Sequence, residues 1–174
     1  LARATLGATT VAFGNVRTGT SRNVAVTNTV TTNAAYQDSL EVLATSANGN
    51  LTLVSPANLL AGTSGNVAVV AGKAGTLAGT VAVGLTSNAN GVIGLANAAL
   101  AAQSIAVTGA AYDLAQVVVT NRPLDFGNVR KGVLVTNQTL NFANPTVSLA
   151  AYQDDLVMAP TKVNSKLTVT GATI

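Results

Sequence analysis

Six acidic side chains, Asp38, Glu41, Asp113, Asp125, Asp154 and Asp155, are the only conventional acid-base groups in a chain that contains neither histidine nor cysteine. A glycosidase needs two carboxylates facing each other across the scissile bond. Asp38 and Asp154, however, occupy the same position of an internal repeat, which suits a surface or turn role better than catalysis. Calcium asks for about six to eight oxygens, several of them from neighbouring carboxylates. Asp154-Asp155 is the one adjacent acidic pair, and its counterpart Asp38-Ser39 keeps a single acid. Without His or Cys, zinc, copper, haem and His-activated nucleophiles lack their usual ligands and bases. Gly62-Thr63-Ser64-Gly65 lacks the Lys-Ser/Thr ending and following helix of a phosphate loop. Asn50-Leu51-Thr52 and Asn137-Gln138-Thr139 match the N-glycosylation pattern, as chance provides in a chain this rich in Asn and Thr. These readings predict no enzyme activity, no cofactor and no metal for this chain.

Binding chemistry is equally sparse. The net charge of +3 is small and scattered, so no nucleic-acid partner is expected. Arg17, Arg22, Arg130 and Lys131 lie near glycines and are read as exposed turn residues. No apolar run approaches the roughly 20 residues of a membrane-spanning helix, so no membrane insertion by this segment is expected. Tyr36 and Tyr152, repeated beside Gln and Asp, are the aromatic pair placed to contact a neighbouring module, the competing reading being a half-buried structural tyrosine.

The elements that would position these residues are legible from composition and pattern. Apolar residues make up 48% of the chain and charged residues only 9%, so Thr, Ser and Asn must supply most of the polar surface. The apolar residues are small or β-branched, which favours strands packed face to face. Period-two alternation marks Val24 and Val26, Val67 and Val69, Val81 with Val83 and Leu85, and Ile105 with Val107 as core-facing sets. Strands are predicted near 9–13, 22–28, 40–45, 51–54, 66–70, 79–85 and 103–108, repeating from about 117. Asn48-Gly49 and Asn90-Gly91 are candidate tight turns. Seven strands in some hundred residues is the count of an immunoglobulin-like sandwich.

Phe13-Gly14-Asn15-Val16-Arg17 recurs as Phe126-Gly127-Asn128-Val129-Arg130, and Ala34-Ala35-Tyr36-Gln37-Asp38 recurs as Ala150-Ala151-Tyr152-Gln153-Asp154. The offset grows from 113 to 116 residues between the two blocks, an insertion placed in Val133 to Gln138. The expected organisation is all-β: a complete immunoglobulin-like sandwich over 1–113, then the first half of a second over 114–174. In the second copy Leu140 and Phe142 replace Val24 and Val26.

Leu124-Asp125-Phe126-Gly127-Asn128-Val129-Arg130-Lys131-Gly132 is similar to the opening strand and turn of hydin-like immunoglobulin-type domains. Val26-Thr27-Asn28-Thr29, Leu85 to Gly91 and Gln103 to Gly109 resemble the bacterial choice-of-anchor D repeat. That resemblance implies a sandwich fold, export and a place on the bacterial cell surface or outside the cell, and it brings no catalytic residues.

A half-sandwich would leave Leu140 and Phe142 bare, and such a face recruits strands. They form the candidate assembly interface together with Tyr36 and Tyr152. Either the missing strands follow in a longer array, or another subunit supplies them by strand complementation. The sequence opens at Leu1 without Met or signal peptide, as expected of a mature form or an excised segment. The leading expectation is an extracellular structural repeat that builds a rod, fibre, filament or surface layer with copies of itself or adjacent repeats. The rival expectation is an adhesin stalk or module that binds a protein or glycan.

Overall fold

The computed structural model describes residues 1–159 and Thr161, which fall into two compact units divided between Tyr112 and Asp113. Among the described residues there is no α-helix, only strands and two 3-10 turns. The first unit contains β1 (Ala4–Leu6), β2 (Thr10–Arg17), β3 (Ser21–Asn28), β4 (Ser39–Ser46), β5 (Leu51–Val54), β6 (Ser64–Ala71), β7 (Gly75–Thr76), β8 (Gly79–Asn88), β9 (Ala98–Ala99) and β10 (Gln103–Tyr112). One sheet runs β1-β3-β6-β5 and the other β2-β10-β8-β4, with β7 and β9 as short additions to the second. This is the strand order of an immunoglobulin-type sandwich. Seven of these strands fall where alternation places them; β1, β7 and β9, two or three residues each, are too short to show a period.

Alternation becomes a core because each strand sends every second side chain inward. Val24, Val26, Val67 and Val69 from one sheet meet Val81, Val83, Leu85, Ile105, Val107 and Leu40 from the other, all nearly or wholly buried in one cluster. Leu77, between β7 and β8, is fully buried as well. Phe13 adds the only aromatic ring of the core, and the Arg22 guanidinium lies 5.8 Å from its centroid. Arg22 therefore sits on strand β3, not in a turn as its neighbouring residues suggest, because β3 starts at Ser21.

Two local features fix how the chain closes. At Asn90-Gly91 both residues have positive φ, 54° and 75°, and the Val92 amide donates to the Ala89 carbonyl, as a type I′ turn requires. The second feature is the parallel pairing of β2 with β10, in which Thr10 partners Ala106 and Arg17 partners Tyr112. One extra residue in β2 shifts the register around Gly109, whose φ is +131°. A Cβ on Gly109 would lie 2.5 Å from the Gly14 carbonyl oxygen, so the bulge depends on glycine there.

The second unit holds β11 (Val118–Thr120) and β12 (Asn141–Ala143), paired antiparallel. Its turn after Arg130 repeats the one after Arg17: Gly132 and Gly19 have φ of 88° and 86°, and in each the amide three residues past the arginine donates to the arginine carbonyl. The strands predicted to repeat from about 117 are otherwise absent among the described residues. Phe126 to Arg130 match β2 in sequence but form no ladder among the described residues, whereas in the first unit β2 is held by its ladder with β10. The counterparts of β5, residues 167–170, lie outside the described residues, as does the end of the predicted half-repeat at 174.

Candidate assembly interface

At one end of the first sandwich the end of β3, the start of β4 and the end of β8 are tied together by side chains. Asn28, the last residue of β3, is fully buried. Its Oδ1 accepts from the Arg3 amide at 3.1 Å and from Gln37 Nε2 at 2.9 Å. Its Nδ2 donates to the carbonyls of Asp38 and Leu59, each at 3.0 Å. Gln37 extends the network by donating to the Thr29 carbonyl and accepting from the Thr31 amide. An asparagine with all four hydrogen-bonding positions used can be buried at little cost, whereas a smaller apolar residue there would orphan its partners.

The second unit builds the same clamp. Asn144 Oδ1 accepts from the Gln116 amide and from Gln153 Nε2, and its Nδ2 donates to the Asp154 carbonyl. Gln153 donates to the Pro145 carbonyl and accepts from the Val147 amide. Each of these residues lies 113 or 116 positions after its counterpart. The ladder agrees: β1 pairs Thr5 with Thr27 and Leu6 with Val26, and β11 pairs Val118 with Ala143 and Val119 with Phe142. The sequence pattern assigns Asn28 and Asn144 no structural role; Asn28 enters only within the Val26-Thr27-Asn28-Thr29 resemblance. The signal that would have found them is their recurrence at the same offset as Gln37 and Gln153.

The candidate interface residues fall in two places. Tyr36 closes the 3-10 turn Ala34–Tyr36, which Asn33 caps by accepting from the Ala35 amide, and it is 89% exposed. It is thus no half-buried structural tyrosine. Its repeat counterpart Tyr152 closes the turn Ala150–Tyr152 and is half-buried. A shallow depression of about 210 Å³ beside Tyr36, lined by Leu1, Thr31, Thr32, Asn33 and Gln37, is smaller than the usual small-molecule site. Leu140 and Phe142 lie in the second unit at and beside β12. Where Val24 is 2% exposed, Leu140 is 36% exposed, and Phe126 is 38% exposed where Phe13 is 5%.

The acidic residues are held in separate local networks. The Asp38 carboxylate accepts from the Ser87 hydroxyl, which itself accepts from the Ala2 amide at 2.6 Å. Glu41 accepts from the Asn88 side chain, Asp113 from the Ser148 hydroxyl and Asp125 from the Gly127 amide. Among the described residues no three acidic side chains converge on a point that a metal would occupy. No described helix is long and apolar enough to cross a membrane.

Within the first unit, several exposed apolar side chains stand at the same end as Tyr36. The loop after β8 presents Val92, Leu95 and a fully exposed Ile93, and the Ser39 hydroxyl holds its base by donating to Asn90 Oδ1 at 2.8 Å. No protein-family model matches the chain, and no curated protein matches it.

Proposed function

We propose that this chain is part of an extracellular structural repeat protein of a bacterial surface, of the choice-of-anchor D type, whose modules build a rod, fibre or surface layer with their own kind. The observation that carries this reading is the repetition itself. The second unit copies the first in clamp, ladder register and turn, and Asp113 follows Tyr112 at the unit boundary with no Gly, Ser or Pro-rich spacer. A module whose identity resides in backbone register and buried amides, with a surface of Thr, Ser and Asn, is suited to repetition. On this reading the second sandwich is an incomplete repeat within these 174 residues, and its partners are copies of itself or adjacent repeats.

Electron microscopy of the native material tests the proposal: ordered rods or layers with a regular modular spacing are expected. Dispersed particles without order would refute it. An adhesive module is the second reading, favoured by Val92, Ile93, Leu95 and Tyr36 standing exposed at one end of the first unit. Saturable binding of the purified chain to a glycan or matrix protein, abolished by Ile93→Asp and without self-assembly, would favour that reading over the first.

A further inference from the structure

The loop from Thr29 to Asp38 joins β3 to β4, and hydrogen bonds hold its frame. Gln37 spends its whole side-chain amide on that frame. Its Nε2 donates to Asn28 Oδ1 at 2.9 Å and to the Thr29 carbonyl at 2.8 Å, while its Oε1 accepts from the Thr31 amide and hydroxyl. Asn33 Oδ1 accepts from the Ala35 amide, and the Tyr36 amide donates to the Asn33 carbonyl. A loop held in this way needs no packing from Tyr36, whose ring stands 89% exposed beside the depression of about 210 Å³. Among the described residues no hydrogen bond holds the Tyr36 hydroxyl, the Thr32 hydroxyl or Asn33 Nδ2. No side chain lining the depression is charged.

The second unit keeps the frame and changes what it displays. Gln153 repeats the bonds of Gln37 to backbone and asparagine, and Tyr152 closes the same turn. Val147 and Leu149 stand in place of Thr31 and Asn33, however, and the Ser148 hydroxyl, at the Thr32 position, donates to the Asp113 carboxylate. Tyr152 is half-buried. The free polar groups around Tyr36 are therefore no requirement of the turn.

We infer that the depression beside Tyr36 is a carbohydrate subsite, which takes one neutral sugar ring of a larger glycan. The inference goes beyond the structural-repeat reading, which holds or fails without it, and it gives the adhesive reading a ligand class. A pyranose has a face of C–H groups and a rim of hydroxyls that both donate and accept. The Tyr36 ring offers that face a rigid apolar platform at low cost in side-chain entropy. At the rim the Tyr36 and Thr32 hydroxyls can donate or accept, and Asn33 Nδ2 donates. The uncharged lining selects a neutral sugar over a uronic or sialic acid, whose carboxylate would lose water without gaining a cation. The volume suits one ring and not a drug-sized ligand, so the affinity expected of the subsite is millimolar.

The test titrates the full nitrogen-15-labelled chain with cellotetraose, maltotetraose, chitotetraose and mannotetraose, and with tetragalacturonate as the charged probe, followed by amide chemical shifts. A saturable shift across residues 31–37 with at least one neutral probe is expected, with a dissociation constant of about 1 mM. Tyr36→Ala should weaken binding by about tenfold or more, and Tyr36→Phe, which keeps the platform, by no more than about threefold. Ile93→Asp, outside the depression, should leave it unchanged. Tyr36→Ala removes an almost wholly exposed ring and should fold normally, so a loss of binding there reports the platform itself. The inference would be overturned by no saturable shift with any neutral probe, by equal binding to Tyr36→Ala, by shifts centred on Tyr152, or by tighter binding of tetragalacturonate. Ordered rods by microscopy without sugar binding would retain the structural-repeat reading and eliminate the subsite. Binding to a matrix protein that Ile93→Asp abolishes, without sugar binding, would likewise eliminate it and retain the adhesive reading.

Discussion

Replacing Asn28 by alanine withdraws four hydrogen bonds from a fully buried site at the end of β3. Two of the partners keep other contacts: the Leu59 carbonyl still accepts from the Leu40 amide, and Gln37 still donates to the Thr29 carbonyl. The Arg3 amide and the Asp38 carbonyl lose their partner at part-buried positions. A buried, unsatisfied group costs roughly 1–3 kcal/mol, and water recovers part of that at these two, so the expected loss of stability is about 2 kcal/mol. Under conditions where core amides exchange through global opening, that loss raises the exchange rates of Val24, Val26, Val67 and Val69 by roughly thirtyfold. Asn28→Asp should do at least as much harm, because an acceptor oxygen replaces the Nδ2 that now donates to two carbonyls 3.0 Å away. Asn144→Ala, in the half-buried clamp of the second unit, should leave the exchange of those four amides unchanged. A loss below about 1 kcal/mol for Asn28→Ala would refute the clamp as the tie at this end of the sandwich.

Gly109→Ala drives a methyl group into the Gly14 carbonyl and Phe13 at a positive φ, so urea titration should register a loss of about 3 kcal/mol, whereas Gly49→Ala, with open space around it, should cost under about 1 kcal/mol. Leu77→Ala empties a fully buried site between β7 and β8 and is expected to cost about 3 kcal/mol in the same titration. Tyr36→Ala should leave the unfolding midpoint within the equivalent of about 0.5 kcal/mol, since the ring is almost wholly exposed. If the ring serves assembly, sedimentation velocity should at the same time show weaker self-association.

Much of the first unit is legible in the sequence because its core strands are long and strictly alternating. Val81, Val83 and Leu85 point inward in the structure for the same reason that they recur at period two. Three things are hidden. The parallel pairing of β2 with β10 joins residues about ninety-five positions apart and leaves no local mark. Asn28 looks like a turn former because its side chain caps backbone groups, and only the fold decides that those groups come from three distant segments. In the second unit, finally, residues that form strands in the first do not form them, since a strand is defined by its neighbour. Phe126 has the same local sequence as Phe13 and the following glycine keeps nearly the same φ, 59° against 65°, yet the ladder needs a counterpart to β10. Tyr36 and Tyr152 stand out in the sequence by repetition, and Leu140 and Phe142 by their exchange for Val24 and Val26; the buried-amide clamp does not.

The parallel pairing of β2 and β10 has a mechanical consequence. Chain entering at Thr10 and chain leaving at Tyr112 attach to opposite ends of one ladder, whose rungs run from Thr10–Ala106 to Arg17–Tyr112. Tension applied through the two termini of the module therefore acts along the strands and shears the rungs together; it does not peel them one at a time. The bulge at Gly109 interlocks the two strands at mid-ladder, so they cannot slide past one another by a residue without breaking register on both sides. A module tied in this way bears load along its own chain direction.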